Sequence, residues 1–412
     1  MEKDFEKAKQ LLRKNNQEHI IQYLEKSKNP EKLVEQILNM DFEQLSNLYE
    51  STKRPIEIEE SEIQPIKFVD KNKLPKEEVT ELEETGKKII RENHYAVVTM
   101  AGGQGTRLGH KGPKGTFLVP VEPEPKYIFQ ILTESLICEN QKYGVVIPWY
   151  IMTSEENNEE TIAFFEEHGY FGYPKEKITF FKQGKLPIMN TEGKLLMDKN
   201  GLIREASDGN GSIYASLAKS GALEKMKQEK IQWIFIGAVD NILLNMVDPS
   251  LIGLCIKDHN QIASRTVTKI SPKERVGVFG KKKGHPAVIE YSEIPEEMAE
   301  EVDEDGELLY GEANTVSMLY SMEALEKASK IQLNYHKAVK KMGYLDENGQ
   351  WIEPKEPNAF KFESFMFDVF ESFDDISILR SKREENFAPI KNAEGADSPE
   401  TARKLYNQFH QN

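Results

Sequence analysis

Hydrophobic residues follow two different periodicities along the chain, and the change falls near residue 93. Before it, Phe5, Ala8 and Leu12 recur at the three- and four-residue spacing of an amphipathic helix. Residues 41–44 open a second helix, with Leu45, Leu48 and Tyr49 on one stripe. Residues 55–84 are rich in Glu, Lys and Pro, and we predict a linker there. The first part of the chain is otherwise predicted to be helical.

From residue 94 onward, short apolar runs alternate with longer amphipathic stretches. The predicted strands are 95–100, 145–153, 178–183, 233–239, 262–270 and 313–320. The predicted helices are 127–142, 158–168, 212–221 and 249–257. This alternation predicts an α/β fold in which helices cover both faces of a sheet. Ligands of such sheets gather at the carboxyl ends of the strands, so we expect the functional site there.

The segment with the clearest chemistry, 101–115, directly follows the first predicted strand. Its glycines accompany Arg107, Lys111 and Lys114, so backbone N–H groups and cationic side chains can converge on phosphate. A dinucleotide-binding fingerprint would need glycine where this chain has Leu108. A P-loop would need Ser or Thr after Gly-Lys, and no Gly-Lys pair in the sequence has one. A phosphate-binding loop of another kind and a glycine-rich surface turn remain open.

The overall charge limits the partners of the chain. Its 412 residues include 69 acidic and 54 basic ones, a formal net charge of −15, which repels nucleic acid and anionic membranes. Phosphate groups must then be met by local clusters of cations. The two cysteines, Cys138 and Cys255, lie in apolar helical patterns, which argues against a disulfide framework or a structural zinc site. With no segment typical of a signal peptide or a membrane span, we expect a cytoplasmic protein.

The glycine-rich segment also carries a family motif. Residues 102–114 read Gly-Gly-x-Gly-Thr-Arg-Leu-Gly-x-x-x-Pro-Lys, which resembles the signature loop of nucleotidyltransferases that make nucleoside diphosphate sugars. It is especially similar to the UDP-N-acetylglucosamine pyrophosphorylases of the eukaryotic type. Further motifs of that family follow in the same order at 147–154, 180–187, 208–211, 239–242, 276–278, 289–293, 365–368 and 389–392. The resemblance implies an α/β, Rossmann-like nucleotidyltransferase fold of the GT-A-like kind, a mixed sheet with flanking helices, plus an N-terminal helical domain.

Three domain ranges follow from the resemblance and the periodicities together. Residues 1–92 are predicted to form the N-terminal helical domain and linker. Residues 93–380 are predicted to form the nucleotidyltransferase catalytic core, and 381–412 a C-terminal segment that carries Lys391. The predicted site therefore draws on both the core and the C-terminal segment.

The activity implied by the resemblance is uridylyl transfer. UTP and N-acetylglucosamine 1-phosphate would give UDP-N-acetylglucosamine and pyrophosphate, with Mg²⁺ as the cofactor. Two alternatives stay open: a UTP–glucose-1-phosphate uridylyltransferase, and an inert regulator that only binds sugar nucleotides. The expected partners are UTP and a sugar 1-phosphate, with no nucleic acid and no membrane. The sequence does not indicate an oligomeric state, and a monomer is compatible with it.

The family's catalytic residues match three cations and one carboxylate in this chain. The resemblance assigns Arg107 to the leaving β- and γ-phosphates, Lys114 to the phosphates around the reacting centre, and Lys391 to the same cluster. It also implies that Asp240 is a Mg²⁺ ligand. Asp240 ends an apolar strand, where a carboxylate is costly unless it is bound. The alternatives are a helix cap for Asp240 and an ordinary surface lysine for Lys391.

Nucleotide contacts are implied for residues of the loop and of two later segments. They are Ala101, Gly102, Gly103, Gly105, Thr106, Gln183, Gly209 and Asn210. The amide of Gln183 can accept from uracil N3–H and donate to O4, although the reversed amide would fit cytosine. From spacing alone, residues 208–211 would be interpreted as a turn.

Sugar contacts are implied for residues in the second half of the chain. They are Gly277, Glu290, Asn314, Phe365 and Phe367. The two aromatic side chains would line an apolar pocket for the acetyl methyl group, although aromatic residues two apart more often belong to a core. The chain departs from the family at Ala313, where glycine is usual, and we expect this methyl group to narrow the sugar end of the site.

Overall fold

The computed structural model describes residues 2–26, 30–53 and 63–411. The helices are α1 (Glu2–Lys14), α2 (Ile21–Lys26), α3 (Pro30–Leu38), α4 (Phe42–Ser51), α5 (Lys76–Arg91), α6 (Ile128–Tyr143), α7 (Asn158–Glu167), α8 (Ile213–Lys219), α9 (Ala222–Gln228), α10 (Pro249–Lys257), α11 (Glu296–Ala299), α12 (Met322–Ala328), α13 (Arg383–Asn386) and α14 (Pro399–Gln411). The strands are β1 (Ile63–Pro65), β2 (Val69–Asp70), β3 (Tyr95–Met100), β4 (Leu118–Val119), β5 (Lys126–Tyr127), β6 (Trp149–Thr153), β7 (Ile178–Lys182), β8 (Lys185–Pro187), β9 (Met189–Asn190), β10 (Glu205–Ser207), β11 (Trp233–Ala238), β12 (Ile262–Thr268), β13 (Val278–Lys282), β14 (His285–Ile289), β15 (Glu312–Ser321), β16 (His336–Lys340), β17 (Tyr344–Leu345), β18 (Trp351–Ile352), β19 (Ala359–Glu363) and β20 (Ser377–Arg380).

Residue contacts divide the chain into two compact units. The first unit contains the described residues of 1–57, 184–212 and 333–365. The second contains those of 58–183, 213–332 and 366–411. The three domain ranges predicted from the sequence, 1–92, 93–380 and 381–412, stay a prediction. The units are described one at a time below.

In the first unit, the predicted N-terminal helices are present and share a core with residues far along the chain. Ala8 and Leu12 of α1 are buried, as their spacing predicts. Asp41 caps α4, because its side chain accepts from the backbone N–H of Gln44 at 2.9 Å. The same hydrophobic cluster includes buried residues of later strands, among them Leu186, Met189 and Phe362. The helices therefore complete a core whose other side comes from 184–212 and 333–365.

The second unit contains an eleven-stranded sheet among its described residues. Its strand order is β2-β20-β12-β15-β11-β3-β6-β7, and β13, which pairs with β14 and with the short strand β1, joins the sheet at β15. Strands β11, β3, β6 and β7 are parallel, whereas β15 is antiparallel to β11, β12 and β13. The predicted mixed sheet with flanking helices is confirmed.

Most predicted elements occur within a few residues of their expected bounds, and the differences have local causes. Strand β6 begins at Trp149 rather than at 145 because Pro148 has no N–H to donate. Helix α6 ends at Tyr143, because the next residue, Gly144, adopts a left-handed conformation with φ of 68°. The linker predicted at 55–84 is wrong over its last part, which forms α5. Residues 55–62 of that prediction lie outside the described residues.

Helix α5 packs closely against α10, and two glycines permit this contact. A Cβ atom on Gly86 would lie 2.1 Å from the carbonyl oxygen of Pro249, and one on Gly253 would lie 2.0 Å from that of Leu82. Both distances are below any tolerable contact, so larger side chains would force the helices apart. The high Glu and Lys content of α5 lies on its exposed face and conceals this buried contact in the sequence.

No helix in the described ranges combines the length and the apolar character that a membrane span needs.

The second unit contains a buried ion pair at the start of α10. Arg265 is 1% exposed, and its Nε and Nη2 atoms donate to Oδ2 of Asp248 at 3.1 and 3.0 Å. The other carboxylate oxygen of Asp248 accepts from the backbone N–H of Ser250, so Asp248 also caps helix α10. Burial alone would raise the pKa of Asp248, but Arg265 and Lys71 beside it outweigh this effect and hold the pKa below its usual value.

We predict that Asp248→Asn lowers the free energy of unfolding by about 3–5 kcal/mol, because it leaves the Arg265 guanidinium buried without a counter-ion. The stabilisation from a carboxylate with a lowered pKa is present above its unfolded pKa and lost as pH falls through the folded pKa. The stability difference between wild type and variant should therefore shrink below about pH 4. Urea denaturation at pH 7 and pH 3 measures both effects. Asp41→Asn, which removes a charge but keeps a good cap, is the matched control, and an equal loss in the control would contradict the prediction.

Candidate active site

The glycine-rich segment forms a loop that crosses the carboxyl end of β3. Its first residue, Ala101, is buried and donates its N–H to the carbonyl of Met152 at the end of β6. Farther along, Lys114 N–H donates to the Gly103 carbonyl at 3.0 Å, and Gly105 N–H donates to the Gly112 carbonyl at 2.9 Å. These bonds fold residues 103–114 back on themselves, so that both arms of the loop leave the sheet together.

Two glycines of the loop are required by their neighbours. A Cβ on Gly102 would lie 2.5 Å from Oε1 of Gln183, and one on Gly105 would lie 2.8 Å from the His110 ring. At Gly103 a Cβ would meet nothing within 4 Å. Gly103 and its exposed neighbours Thr106 and Arg107 therefore leave one face of the loop accessible to a ligand.

Strand β11 lies beside β3 in parallel register and carries Asp240 to the same end of the sheet. Ala238 pairs with Met100, and Val239 N–H donates to the Met100 carbonyl at 3.1 Å. Asp240 follows two residues after this pair. No described helix begins between Asp240 and Pro249, so the alternative of a helix cap for Asp240 is wrong.

The segment that carries Lys391 is joined to the end of β11 by backbone hydrogen bonds. Ile390 N–H donates to the Asp240 carbonyl at 2.8 Å, and Ile242 N–H donates to the Ala388 carbonyl at 3.2 Å. Lys391 is therefore brought next to Asp240 in the fold, although the two residues are far apart in sequence. The sequence motif predicts this neighbourhood only through the family resemblance.

A buried asparagine, Asn241, reinforces this junction. It is 1% exposed, and its Nδ2 donates to the Asn386 carbonyl at 2.8 Å. Its Oδ1 accepts from the N–H groups of Ala388 at 2.8 Å and Leu243 at 3.1 Å. The side chain thus replaces backbone partners that the irregular segment lacks, as buried polar groups require.

The predicted cations differ in their surroundings. The Lys114 ammonium lies 3.7 Å from Oδ2 of Asp240, and both side chains are largely buried, at 17% and 22% exposure. The Lys391 ammonium lies 3.7 Å from Oδ2 of Asp397 on its own loop. Arg107 is exposed on the short 3-10 turn Thr106–Leu108. The site therefore contains one carboxylate and one ammonium in contact, with two further cations on adjoining segments.

The predicted sugar residues Gly277, Glu290 and Asn314 form a second group in the same unit. Asn314 N–H donates to the Gly277 carbonyl at 2.9 Å, and a Cβ on Gly277 would lie 3.3 Å from Oε1 of Glu290. The Oδ1 atom of Asn314 accepts from the N–H of Val316 at 2.9 Å. This bond orients the amide, so that Nδ2 is the end left to donate to a ligand.

Ala313 differs from its expected role. Its side chain is fully buried in a small cluster with Val267, Val276 and Phe387. Successive side chains of a strand point to opposite faces of the sheet, so the Ala313 methyl group lies on the face away from the Asn314 side chain. We conclude that this methyl group belongs to the core and does not narrow the space beside Asn314.

The remaining predicted residues belong to both units. Gly209, with φ of 93°, Asn210 and Phe365 lie in the first unit, where a Cβ on Gly209 would be 2.2 Å from the Ser364 carbonyl oxygen. The ring of Phe365 lies 4.7 Å from that of His336. Phe367 lies in the second unit.

Two buried tyrosines support the turn that carries Phe367. The hydroxyl of Tyr214 donates to the Met366 carbonyl at 2.8 Å and lies 2.7 Å from the hydroxyl of Tyr320. Burial raises the pKa of both tyrosines well above the usual value, so both stay neutral donors. The 3-10 turn Met366–Ser372 is thereby fixed at its first residue.

A divalent cation would find the carboxylate of Asp240 at this end of the sheet. Among the described residues, no group of three or more His, Cys, Asp or Glu side chains could hold a metal ion. Mg²⁺ is commonly bound by one or two carboxylates, with substrate phosphates and water completing its octahedron. Asp240 is accessible enough for such a site, and its oxygen-only chemistry fits this ion.

Sequence reasoning did not identify Asn157 and Asn241. Asn157 is fully buried, and its Nδ2 donates to the carbonyls of Ala101 at 3.0 Å and Gly103 at 3.4 Å. The one available signal was their location within four residues of the ends of predicted strands, at the end of the sheet where ligands bind. That signal does not reveal a hydrogen-bonding role.

Comparisons with known proteins agree with this arrangement. The family model described as UTP–glucose-1-phosphate uridylyltransferase matches residues 39–398. The UDP-N-acetylglucosamine pyrophosphorylase of Saccharomyces cerevisiae is 36% identical over 412 residues, covering 96% of this chain and 85% of the relative. The UDP-N-acetylhexosamine pyrophosphorylase-like protein 1 of Mus musculus is 38% identical over 339 residues, covering 80% and 67%.

Solved structures show the same similarity. The crystal structure of the uridine diphosphate N-acetylglucosamine pyrophosphorylase from Trypanosoma brucei has a TM-score of 0.82 and 30% identity. The match covers 98% of this chain and 84% of that one. The nucleotidyltransferase fold expected from the sequence is confirmed by this neighbour. With the loop, the sheet and the family model in agreement, the chain belongs to the UTP–glucose-1-phosphate uridylyltransferase family of nucleotidyltransferases, and within it resembles the UDP-N-acetylglucosamine pyrophosphorylases.

Proposed function

We propose that this chain forms UDP-N-acetylglucosamine and pyrophosphate from UTP and N-acetylglucosamine 1-phosphate. The observation that carries the proposal is the meeting of three segments at one end of the sheet. Lys114 of the glycine-rich loop contacts Asp240, and the backbone of Asp240 is bonded to the segment that carries Lys391. This is the arrangement that a polyphosphate substrate needs in a chain of net negative charge.

In the proposed reaction, an oxygen of the sugar phosphate attacks the α-phosphorus of UTP. The bond from that phosphorus to the oxygen bridging to the β-phosphate breaks, and pyrophosphate leaves with the bonding electrons. Both substrates are anions, so their mutual repulsion is the main obstacle. The protein's contribution is therefore to position the substrates and neutralise charge, with no covalent intermediate on a side chain.

Three cations are proposed to share this neutralisation. Arg107 would bind the β- and γ-phosphates, because a planar guanidinium can donate to two phosphate oxygens at once. Lys114 would bind the phosphate oxygens at the reacting centre. Its ammonium group would then share its contacts between Asp240 and these oxygens. Lys391 would approach from the opposite segment and leave its exposed contact with Asp397, which costs little because surface ion pairs are weak.

Asp240 is proposed as the protein ligand of Mg²⁺. When bound, the ion would neutralise phosphate charge and favour one geometry of the triphosphate. The position of the carboxylate is fixed by backbone hydrogen bonds. Val239 N–H donates to the Met100 carbonyl, and the Asp240 carbonyl accepts from Ile390 N–H. The adjacent Lys114 keeps the Asp240 carboxylate from being an isolated charge.

The nucleotide base is proposed to be recognised by Gln183, with Ala101, Gly102, Gly103, Gly105 and Thr106 contacting the nucleotide from the loop. The family resemblance also implies nucleotide contacts for Gly209 and Asn210. Gln183 N–H donates to the Thr153 carbonyl at 2.7 Å, which fixes its backbone at the end of β7. The close approach of its Oε1 to Gly102 supports a role beside the loop.

The sugar is proposed to be N-acetylglucosamine, with Gly277, Glu290 and Asn314 contacting its polar groups and Phe365 and Phe367 its acetyl methyl group. The oriented Nδ2 of Asn314 supports a contact with an acceptor oxygen. Glucose is the second candidate, since the matching family model is described as a glucose-1-phosphate enzyme.

All three proposed catalytic cations come from one chain, so a monomer suffices. A cytoplasmic location, with no nucleic-acid or membrane partner, belongs to the same proposal.

We expect purified protein with Mg²⁺ and UTP to release pyrophosphate when N-acetylglucosamine 1-phosphate is added. Release should be slower with glucose 1-phosphate, because an apolar pocket for one methyl group contributes about 1–3 kcal/mol of discrimination. It should also be slower when CTP or ATP replaces UTP. A coupled pyrophosphate assay over this panel measures all of these rates. No release with any sugar phosphate would favour the inert regulator, and a preference for glucose 1-phosphate would favour the second candidate.

We expect Lys114→Ala to lower kcat by about 10²–10³-fold, the usual effect of removing one preorganised group that stabilises the transition state. The control is Lys175→Ala, which removes a lysine paired with Glu166 on the surface of the same unit. Initial rates at saturating substrates measure the effect, and circular dichroism checks the fold. Near-normal turnover of a folded Lys114→Ala variant would remove this lysine from the proposed site.

We expect Asp240→Asn to raise the Mg²⁺ concentration needed for half-maximal activity and to lower the maximal rate. The amide has nearly the same shape as the carboxylate but lacks the charge that attracts a hard cation. A Mg²⁺ titration of activity compares the wild type, Asp240→Asn and the exposed control Asp374→Asn. An unchanged titration curve for Asp240→Asn would contradict its role as a metal ligand.

A further inference from the structure

Asn157 lies at the position where a helix cap is expected but does not act as one. It directly precedes α7 and is the N-cap residue of that helix, yet its side chain makes no capping hydrogen bond. Asparagine is among the residues that most favour this role, in which the side chain accepts from the second or third N–H of the helix. The side chain is also fully buried, so its bonds have been directed elsewhere.

The bonds of Asn157 connect the end of β6 to the glycine-rich loop. Its Oδ1 accepts from Ser154 N–H at 2.8 Å. Its Nδ2 donates to the Ala101 carbonyl at 3.0 Å, with a longer contact of 3.4 Å to the Gly103 carbonyl. The Gly103 carbonyl also accepts from Lys114 N–H at 3.0 Å. One side chain therefore binds the oxygens of two peptide groups in the loop.

Those bonds determine where the loop's N–H groups point. In a trans peptide the C=O and the N–H of the same unit point in opposite directions. With the Ala101 and Gly103 carbonyls turned toward Asn157, the N–H groups of Gly102 and Gln104 point to the other side of the loop. Within the described part of the chain, neither N–H donates to a protein acceptor. Two unpaired N–H groups on the accessible face of a glycine-rich loop are the arrangement that binds an anion.

We propose that Asn157 is a positioning residue for the nucleotide site. It holds two peptide groups of the loop so that the N–H groups of Gly102 and Gln104 face the phosphates of UTP. This inference rests on the proposed function, because it takes UTP as the ligand of the loop. The Asn157 side chain binds the loop instead of capping α7, which favours a role in orienting the loop.

Substitutions at Asn157 separate positioning from a merely structural role. Asn157→Ser puts another residue that favours the cap position there, but its side chain is too short to reach the loop carbonyls. Asn157→Asp also caps well, keeps the acceptor for Ser154 N–H, and loses the donor to Ala101. If Asn157 served only α7, both variants would behave like the wild type. If it positions the loop, both should bind UTP more weakly, and Asp the more so because a carboxylate would face carbonyl oxygens.

The test measures the dissociation constant of UTP in the presence of Mg²⁺ by titration calorimetry, with the melting temperature as a check on folding. We expect the affinity of Asn157→Ser to fall by about 10- to 100-fold, the scale on which small misplacements of binding groups act. The matched control is Asn140→Ser. Asn140 is a buried asparagine of the same unit, and its side chain accepts from the N–H of Ile147 at 3.0 Å. This hydrogen bond does not involve the glycine-rich loop.

The outcomes are distinct. Weaker UTP binding by both Asn157 variants, with normal binding by Asn140→Ser at a similar melting temperature, supports the proposal. Wild-type affinity in a folded Asn157→Ser or Asn157→Asp variant overturns it, as does an equal loss in the control. If one Asn157 variant does not fold, the other decides the result. If the wild type itself does not bind UTP, the proposed function fails, and this inference fails with it.

Discussion

The hydrogen-bonded junction between the end of β11 and residues 388–390 is the constraint on which the rest of the site depends. It joins Asp240 to a segment that is remote in sequence, and the buried side chain of Asn241 satisfies the backbone groups that this irregular crossing would leave unpaired. An unpaired buried donor or acceptor costs about 1–3 kcal/mol, so the junction is stable only with these bonds in place. Because β11 is also in register with β3, the same junction aligns Lys391, Asp240 and the glycine-rich loop.

Electrostatics explains why the junction matters for chemistry. A chain with net charge −15 would repel a triphosphate over most of its surface. The contact between Lys114 and Asp240 gives a nearly neutral pair where a metal and phosphates would bind, and Arg107 and Lys391 add positive charge from the two sides. The balance is local, so binding of an anionic substrate depends on the backbone geometry that brings these groups together. Preorganised charge of this kind is the main source of catalysis in phosphoryl transfer.

The sequence predicts the order of strands and helices well because each has a clear periodicity, and the glycine-rich loop because its glycines and cations are adjacent. It does not predict that α1 to α4 share a core with 184–212 and 333–365, since that core is assembled from three distant segments. Helix α5 is missed because its charged face dominates its composition. The roles of Asn157 and Asn241 are missed for another reason: a single buried amide has no periodicity, and its partners are backbone atoms, which carry no sequence signal.

The central claim is that cations from distant segments converge on the phosphates of UTP at the carboxyl ends of β3 and β11. A crystal structure of the chain with UTP and Mg²⁺ tests it most directly. The account predicts phosphate oxygens about 3 Å from the side-chain nitrogens of Arg107, Lys114 and Lys391, the usual length of a charge-assisted hydrogen bond. It also predicts Asp240 in the coordination sphere of the metal. A triphosphate bound elsewhere, with Lys114 still paired to Asp240 and Lys391 still paired to Asp397, would contradict it.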